Sequence, residues 1–108
     1  MRRIVVGLVV GALVVGLSGL PALAFECVAR LKEANQAISQ AESAVAGITN
    51  ARAKGNAEAF VALAKEMAKQ ADAEHKDGAA KKAATLHYAA AAKAKVAKWA
   101  AEQAKEMK

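Results

Sequence analysis

The sequence predicts an all-α protein: an up-down antiparallel bundle of three helices, or of four if a turn divides the last. Three observations predict it. Alanine dominates the chain, and alanine is the strongest helix former. After Pro21 there is no proline to break a helix. Apolar residues also recur at alternating steps of four and three, the period of a helical seam.

The chain has 108 residues and a formal net charge of +6. Arg2 and Arg3 precede an apolar run from Ile4 to Leu20, and Pro21-Ala22-Leu23-Ala24 follows with small residues at the positions a signal peptidase reads. This is the order of a secretory signal. Residues 1–24 are therefore read as a signal peptide and residues 25–108 as one alanine-rich helical domain that is periplasmic or secreted. A retained anchor is the alternative, since a run of this length sits at the short end of what spans a bilayer. The glycines at 7, 11, 16 and 19 and the Pro21 break favour removal. Cleavage takes away Arg2 and Arg3, so 16 basic residues become 14 against 10 acidic ones, a net charge of +4. The lysines concentrate after residue 79.

The first helix is expected from about Glu26 to about Ala53, with the seam Cys27, Leu31, Ala34, Ile38, Ala41, Val45 and Ile48. Ala53-Lys54-Gly55-Asn56 reads as its break, with Gly55 ending one helix and Asn56 capping the next. The second helix is expected over Ala57 to Asp77, with Phe60, Leu63, Ala64, Met67, Ala71 and His75 on one side and Gly78 as its stop. The third covers Ala79 to Lys108, with Leu86, Ala89, Val96, Trp99 and Met107 as its apolar side. A fourth helix would need a turn near Thr85 or Lys93, where no glycine or proline stands. Short connections make neighbouring helices antiparallel.

Little in the sequence points to catalysis. Ser39, Ser43, Thr49 and Thr85 sit in no glycine-rich elbow, and no phosphate loop or dinucleotide fingerprint is present. The expectation is a protein that is not an enzyme. Cys27 is the only cysteine, which excludes a disulfide framework within the chain. It can be a small buried seam residue, a metal ligand, or half of an intermolecular disulfide. His75, near Asp72, Glu74 and Asp77, either continues the apolar face or binds metal. His87 lies half a turn from Val96, away from the main stripe. Met67 and Met107 read as core filler. The lysine-rich third helix reads as a solvated face with a weak affinity for anionic surfaces, and no nucleic-acid partner is expected.

Three stretches carry a resemblance. Ala37-Ile38-Ser39-Gln40-Ala41-Glu42-Ser43-Ala44-Val45-Ala46 has an A-x-x-x-A-E-x-A rhythm. Gly55-Asn56-Ala57-Glu58-Ala59-Phe60-Val61 restarts it, and Ala64-Lys65-Glu66-Met67-Ala68-Lys69-Gln70-Ala71 repeats it as A-K-E. Over roughly residues 33–90 the chain resembles the periplasmic small metal-binding protein family. The resemblance implies an exported helical bundle that takes up copper or another divalent metal through histidines spaced along its helices. Gln40, Ala46, Leu63 and Gln70 stand where that rhythm would place histidines, while His87 falls near a matching position and His75 is additional. The expected ligands are thus His75 with Asp72 or Glu74, and His87, giving weak or altered copper-type binding. The alternative is a non-catalytic structural or interaction protein of the cell envelope. It would use the helix seam and the lysine-rich third helix, as a homo-oligomer or with a partner.

Overall fold

The computed structural model of the protein describes residues 19–107. Three helices form the bundle: α1 (Gly19–Ala46), α2 (Ala51–Lys81) and α3 (Ala84–Glu106). Contacts between them fix their directions. Glu33 of α1 meets Lys98 of α3 at 3.6 Å, and Gln40 accepts from Lys105 Nζ at 2.9 Å, so α1 and α3 run parallel. Glu74 of α2 pairs with Lys93 of α3, and Phe60 stacks edge-on against Trp99 with centroids 5.9 Å apart, so α2 runs against them. The architecture is the predicted all-α, up-down-up bundle. Most of the predicted signal segment, residues 1–18, lies outside the described residues, and residues 19–24 form the opening turns of α1. No helix among the described residues is long and apolar enough to cross a membrane.

The core is built largely of alanine. Ala34, Ala41, Ala57, Ala64, Ala97, Ala100, Ala101 and Ala104 are fully buried, with Ile38, Val45 and Val61 beside them. Larger side chains, among them Leu31, Ile48, Phe60, Met67 and Met107, pack around this centre and stay partly accessible. Small seam residues let helix axes approach to the short end of the usual range, about 8 Å. The α1 seam faces the core as its spacing predicts: Cys27, Ala34, Ile38, Ala41 and Val45 are buried, with Leu31 and Ile48 partly buried against it. The α3 core face differs from the expected one. Val96 and Trp99 are 43% and 50% exposed, and the buried line is instead Ala90, Ala94, Ala97, Ala101 and Ala104.

The helix boundaries also differ from those expected. The first break falls at residues 47–50, not at Gly55. Tightened turns close α1, with Gly47 N–H on Ala44 O and Ile48 N–H on Val45 O. Asn50, in extended conformation, is the N-cap of α2: its Oδ1 accepts from Ala53 N–H at 3.0 Å. That side-chain bond satisfies an otherwise orphaned helix donor, whereas a glycine inside a helix costs only about 1 kcal/mol relative to alanine. Gly55 and Asn56 therefore lie within α2. Gly78 also lies inside α2 and is buried rather than acting as a stop. The helix ends at Lys82, which takes the left-handed conformation at φ 52°. The Gly78 carbonyl accepts from both Lys82 N–H, the bond of an αL cap, and Ala83 N–H, the outer bond of a Schellman closure.

The glycines in α2 make opposite demands. A Cβ on Gly55 would meet nothing within 4 Å, but one on Gly78 would lie 3.1 Å from Leu86 Cβ and 3.4 Å from His87 N. Gly55→Ala is expected to stabilise the bundle by about 0.5–1 kcal/mol. Gly78→Ala is expected to destabilise it by about 1–2 kcal/mol, because overpacking outweighs the helix-propensity gain. Thermal melts of the two variants against the parent check the opposite signs. Lys82→Gly relieves a left-handed non-glycine residue, and a rise of about 0.5–1 kcal/mol in denaturant-derived stability is the expected result.

Candidate metal centre

The seams of the three helices each contain one residue with metal-ligand chemistry. On α1 the seam opens with Cys27. On α2 the positions 57, 61, 64, 68, 71, 75 and 78 step by four and three, and His75 is the next to last. On α3 the positions 87, 90, 94, 97, 101 and 104 step by three and four, and His87 is the first. In an up-down-up bundle the start of α1, the end of α2 and the start of α3 share one end. Cys27, His75 and His87 meet there, each offering one donor atom, all within 4.8 Å of one another.

Cys27 and His87 are each 2% exposed, while His75 is half-buried. Cys27 Sγ lies 3.9 Å from His87 Nδ1 and donates to the His87 carbonyl oxygen at 2.9 Å. The two imidazoles pack edge to face with centroids 5.3 Å apart. His75 Nδ1 is buried and has no hydrogen-bond partner. An unpartnered buried polar atom costs about 1–3 kcal/mol, a cost that coordination would remove. Bonds of about 2.3 Å to sulfur and 2.0 Å to nitrogen place such donors about 3.5–3.7 Å apart around a tetrahedral or trigonal ion. The observed 3.9 Å between Sγ and Nδ1 is close to that. The group can hold a metal ion.

The other expected ligands stand at the edge of this cluster. Asp72, one turn before His75, is paired with Lys76 at 2.8 Å and lines a surface groove together with His75. Glu74 is committed to a half-buried ion pair with Lys93, its second oxygen buried without a hydrogen bond. Neither brings an oxygen into the mutual 4.8 Å group. His87, expected away from the packed stripe, lies in it, because the stripe of α3 runs through the alanines and not through Leu86, Val96 and Trp99. Cys27 enters the group as the third donor. The signal for all three was present as the alanine period of each helix, with the polar residue at its end.

Burial pushes the Cys27 thiol above the ordinary value of 9.0; backbone hydrogen bonding at Ala91 opposes the shift and the Glu26 carboxylate reinforces it. The metal-free site therefore holds a neutral thiol at neutral pH, and a metal would have to displace its proton. No family model, no curated protein and no solved structure matches the chain.

The thiol shift carries a sign for stability. A thiol whose pKa is raised on folding stabilises the native state fully below its unfolded value, and that contribution is lost as pH rises through the folded value. The metal-free protein is expected to lose stability relative to Cys27→Ala as pH rises above about 9, the ordinary thiol value. Urea melts of both proteins at a series of pH values check it. A stability difference that stays constant across that window would contradict the assignment.

Proposed function

We propose that the protein binds one copper or zinc ion through Cys27, His75 and His87, as a small exported metal-binding bundle. The observation that carries the reading is the convergence of a buried thiol and two imidazoles from three different helices, one with an orphaned ring nitrogen. A thiolate with two imidazoles is a soft-to-borderline donor set, which favours copper and zinc over the hard, oxygen-seeking calcium and magnesium. Export rests on the Arg2-Arg3, apolar and A-x-A order of residues 1–24, and the metal-binding rhythm of residues 33–90 agrees with the same reading.

A thiol beside an imidazole also suggests a cysteine nucleophile, but the setting argues against that role. Reactive cysteines are partly exposed and have lowered pKa values, whereas Cys27 is buried and its pKa is raised.

Calorimetric titration of the purified reduced protein with zinc or cuprous ion should give one equivalent bound. A ligand of the native state at 100 times its dissociation constant adds about 2.7 kcal/mol, and a domain of this size gains about 4–8 °C in Tm per kcal/mol. A rise of about 10 °C or more in Tm is therefore the expected result. Cys27→Ser or His87→Ala should weaken binding by about 100-fold or more, beyond what loss of a supporting contact costs. Asp72→Ala and Glu74→Ala should each stay within about tenfold, as groups outside the donor set. Absence of both heat and a Tm shift with either metal would overturn the proposal.

A further inference from the structure

We infer that the metal held by Cys27, His75 and His87 keeps one coordination position open, and that this position faces the groove between α1 and α2, where it takes a small anionic donor. The inference rests on the metal-binding reading above and extends it from capture of an ion to a site with a second ligand. A divalent ion such as zinc, bound by three protein donors, leaves room for a fourth, and no other cysteine, histidine, aspartate or glutamate among the described residues joins the group. The position's direction follows from burial. Cys27 and His87 are almost wholly enclosed, so their sides offer no approach. His75 is half-buried and lines a groove of about 550 Å³ between α1 and α2, with Val28, Leu31, Asn35 and Asp72 on its walls.

The chemistry of the incoming ligand follows from charge. A divalent ion with one thiolate and two neutral imidazoles keeps a net positive charge. Lys32 lines the same groove, and the acid there, Asp72, is already paired with Lys76. A small anion neutralises the centre, and the groove has room for it. The site is thus built as a holder whose ion stays accessible from one side, unlike a closed four-ligand structural site.

Cobalt(II) provides a spectroscopic probe. The purified protein, reduced and anaerobic, is loaded with one equivalent of cobalt(II), and the thiolate-to-metal band, absent in Cys27→Ser, reports occupancy of the centre. Azide is then titrated against the loaded protein. Saturable change in the d–d bands, with the thiolate band retained and no cobalt released, is the expected result. Asn35→Trp, which fills the groove from an exposed position, should weaken azide binding by about tenfold or more while changing cobalt affinity by less than about threefold. Two results would overturn the inference while leaving metal binding intact. One is a d–d spectrum indifferent to azide but altered by Asp72→Ala, which would make Asp72 the fourth ligand. The other is an azide response unaffected by Asn35→Trp, which would place the open position elsewhere. Absence of any thiolate band on cobalt addition would overturn the metal-binding reading and this inference together.

Discussion

The close approach of three alanine seams is the constraint on which the rest of the structure depends. Alanine buries little apolar area, and burial is worth roughly 25 cal/mol per Å². Each core position therefore contributes less than a leucine would. Stability must come from the number of close backbone-to-backbone contacts and from good helix ends. The Cβ that Gly78 lacks would sit 3.1 Å from Leu86 Cβ, so the α2–α3 junction has no slack. The Asn50 cap and the double acceptance by the Gly78 carbonyl become significant fractions of the total, since whole domains are stable by only about 5–15 kcal/mol. Exposed cross-helix pairs such as Lys65–Glu42 add little energy, but they select the register in which the seams mesh.

A seam that admits only small residues also controls where polar ones can go. Histidine is far larger than alanine, so it interrupts a line of small residues. His87 opens the α3 line, His75 is the next to last of the α2 line with the buried Gly78 beyond it, and Cys27, a small residue itself, opens the third. The helical phase that buries the alanines thus aims three donors at one point, and the up-down-up order puts the three seam ends together. Burying two imidazoles and a thiol is costly unless their polar atoms are satisfied. The thiol has the His87 carbonyl, but His75 Nδ1 has no partner. That deficit is one that a bound ion would remove.

Much of this was legible in the sequence, and the failures have a common cause. The α1 seam could be read because large residues alternate with alanine there, giving periodicity that stands out. On α3 the large residues Val96 and Trp99 point outward, while the informative period is carried by alanines that also crowd the other faces. Weighting by size chose the wrong face and put His87 off the stripe by half a turn. The α1–α2 break was misplaced for a related reason. Gly55 looked like a terminator, but an exposed helical glycine is tolerated, and the Asn50 side-chain bond to Ala53 N–H decides where the helix starts. The convergence of Cys27 with His75 and His87 could have been found only by carrying the alanine phase to its last position on every helix.

The location of the cluster has a further consequence for how metal and fold would be coupled. Its donors come from three helices at one end of the bundle, so an ion there would cross-link all three at once. It would close the long stretch from Cys27 to His75 and the shorter one from His75 to His87. Closing a stretch costs entropy that grows only slowly with its length, so the longer closure is not prohibitive for a bound ion to offset. At the opposite end no such group occurs among the described residues; there the helices are held by alanine contacts, by Phe60 against Trp99 and by the packing of Met107. The bundle therefore has one end fixed by packing and one end where polar demand is left partly unmet. A metal bound there would tie the three helices together at that end, and occupancy would be felt as order along the α1–α2 groove that His75 lines.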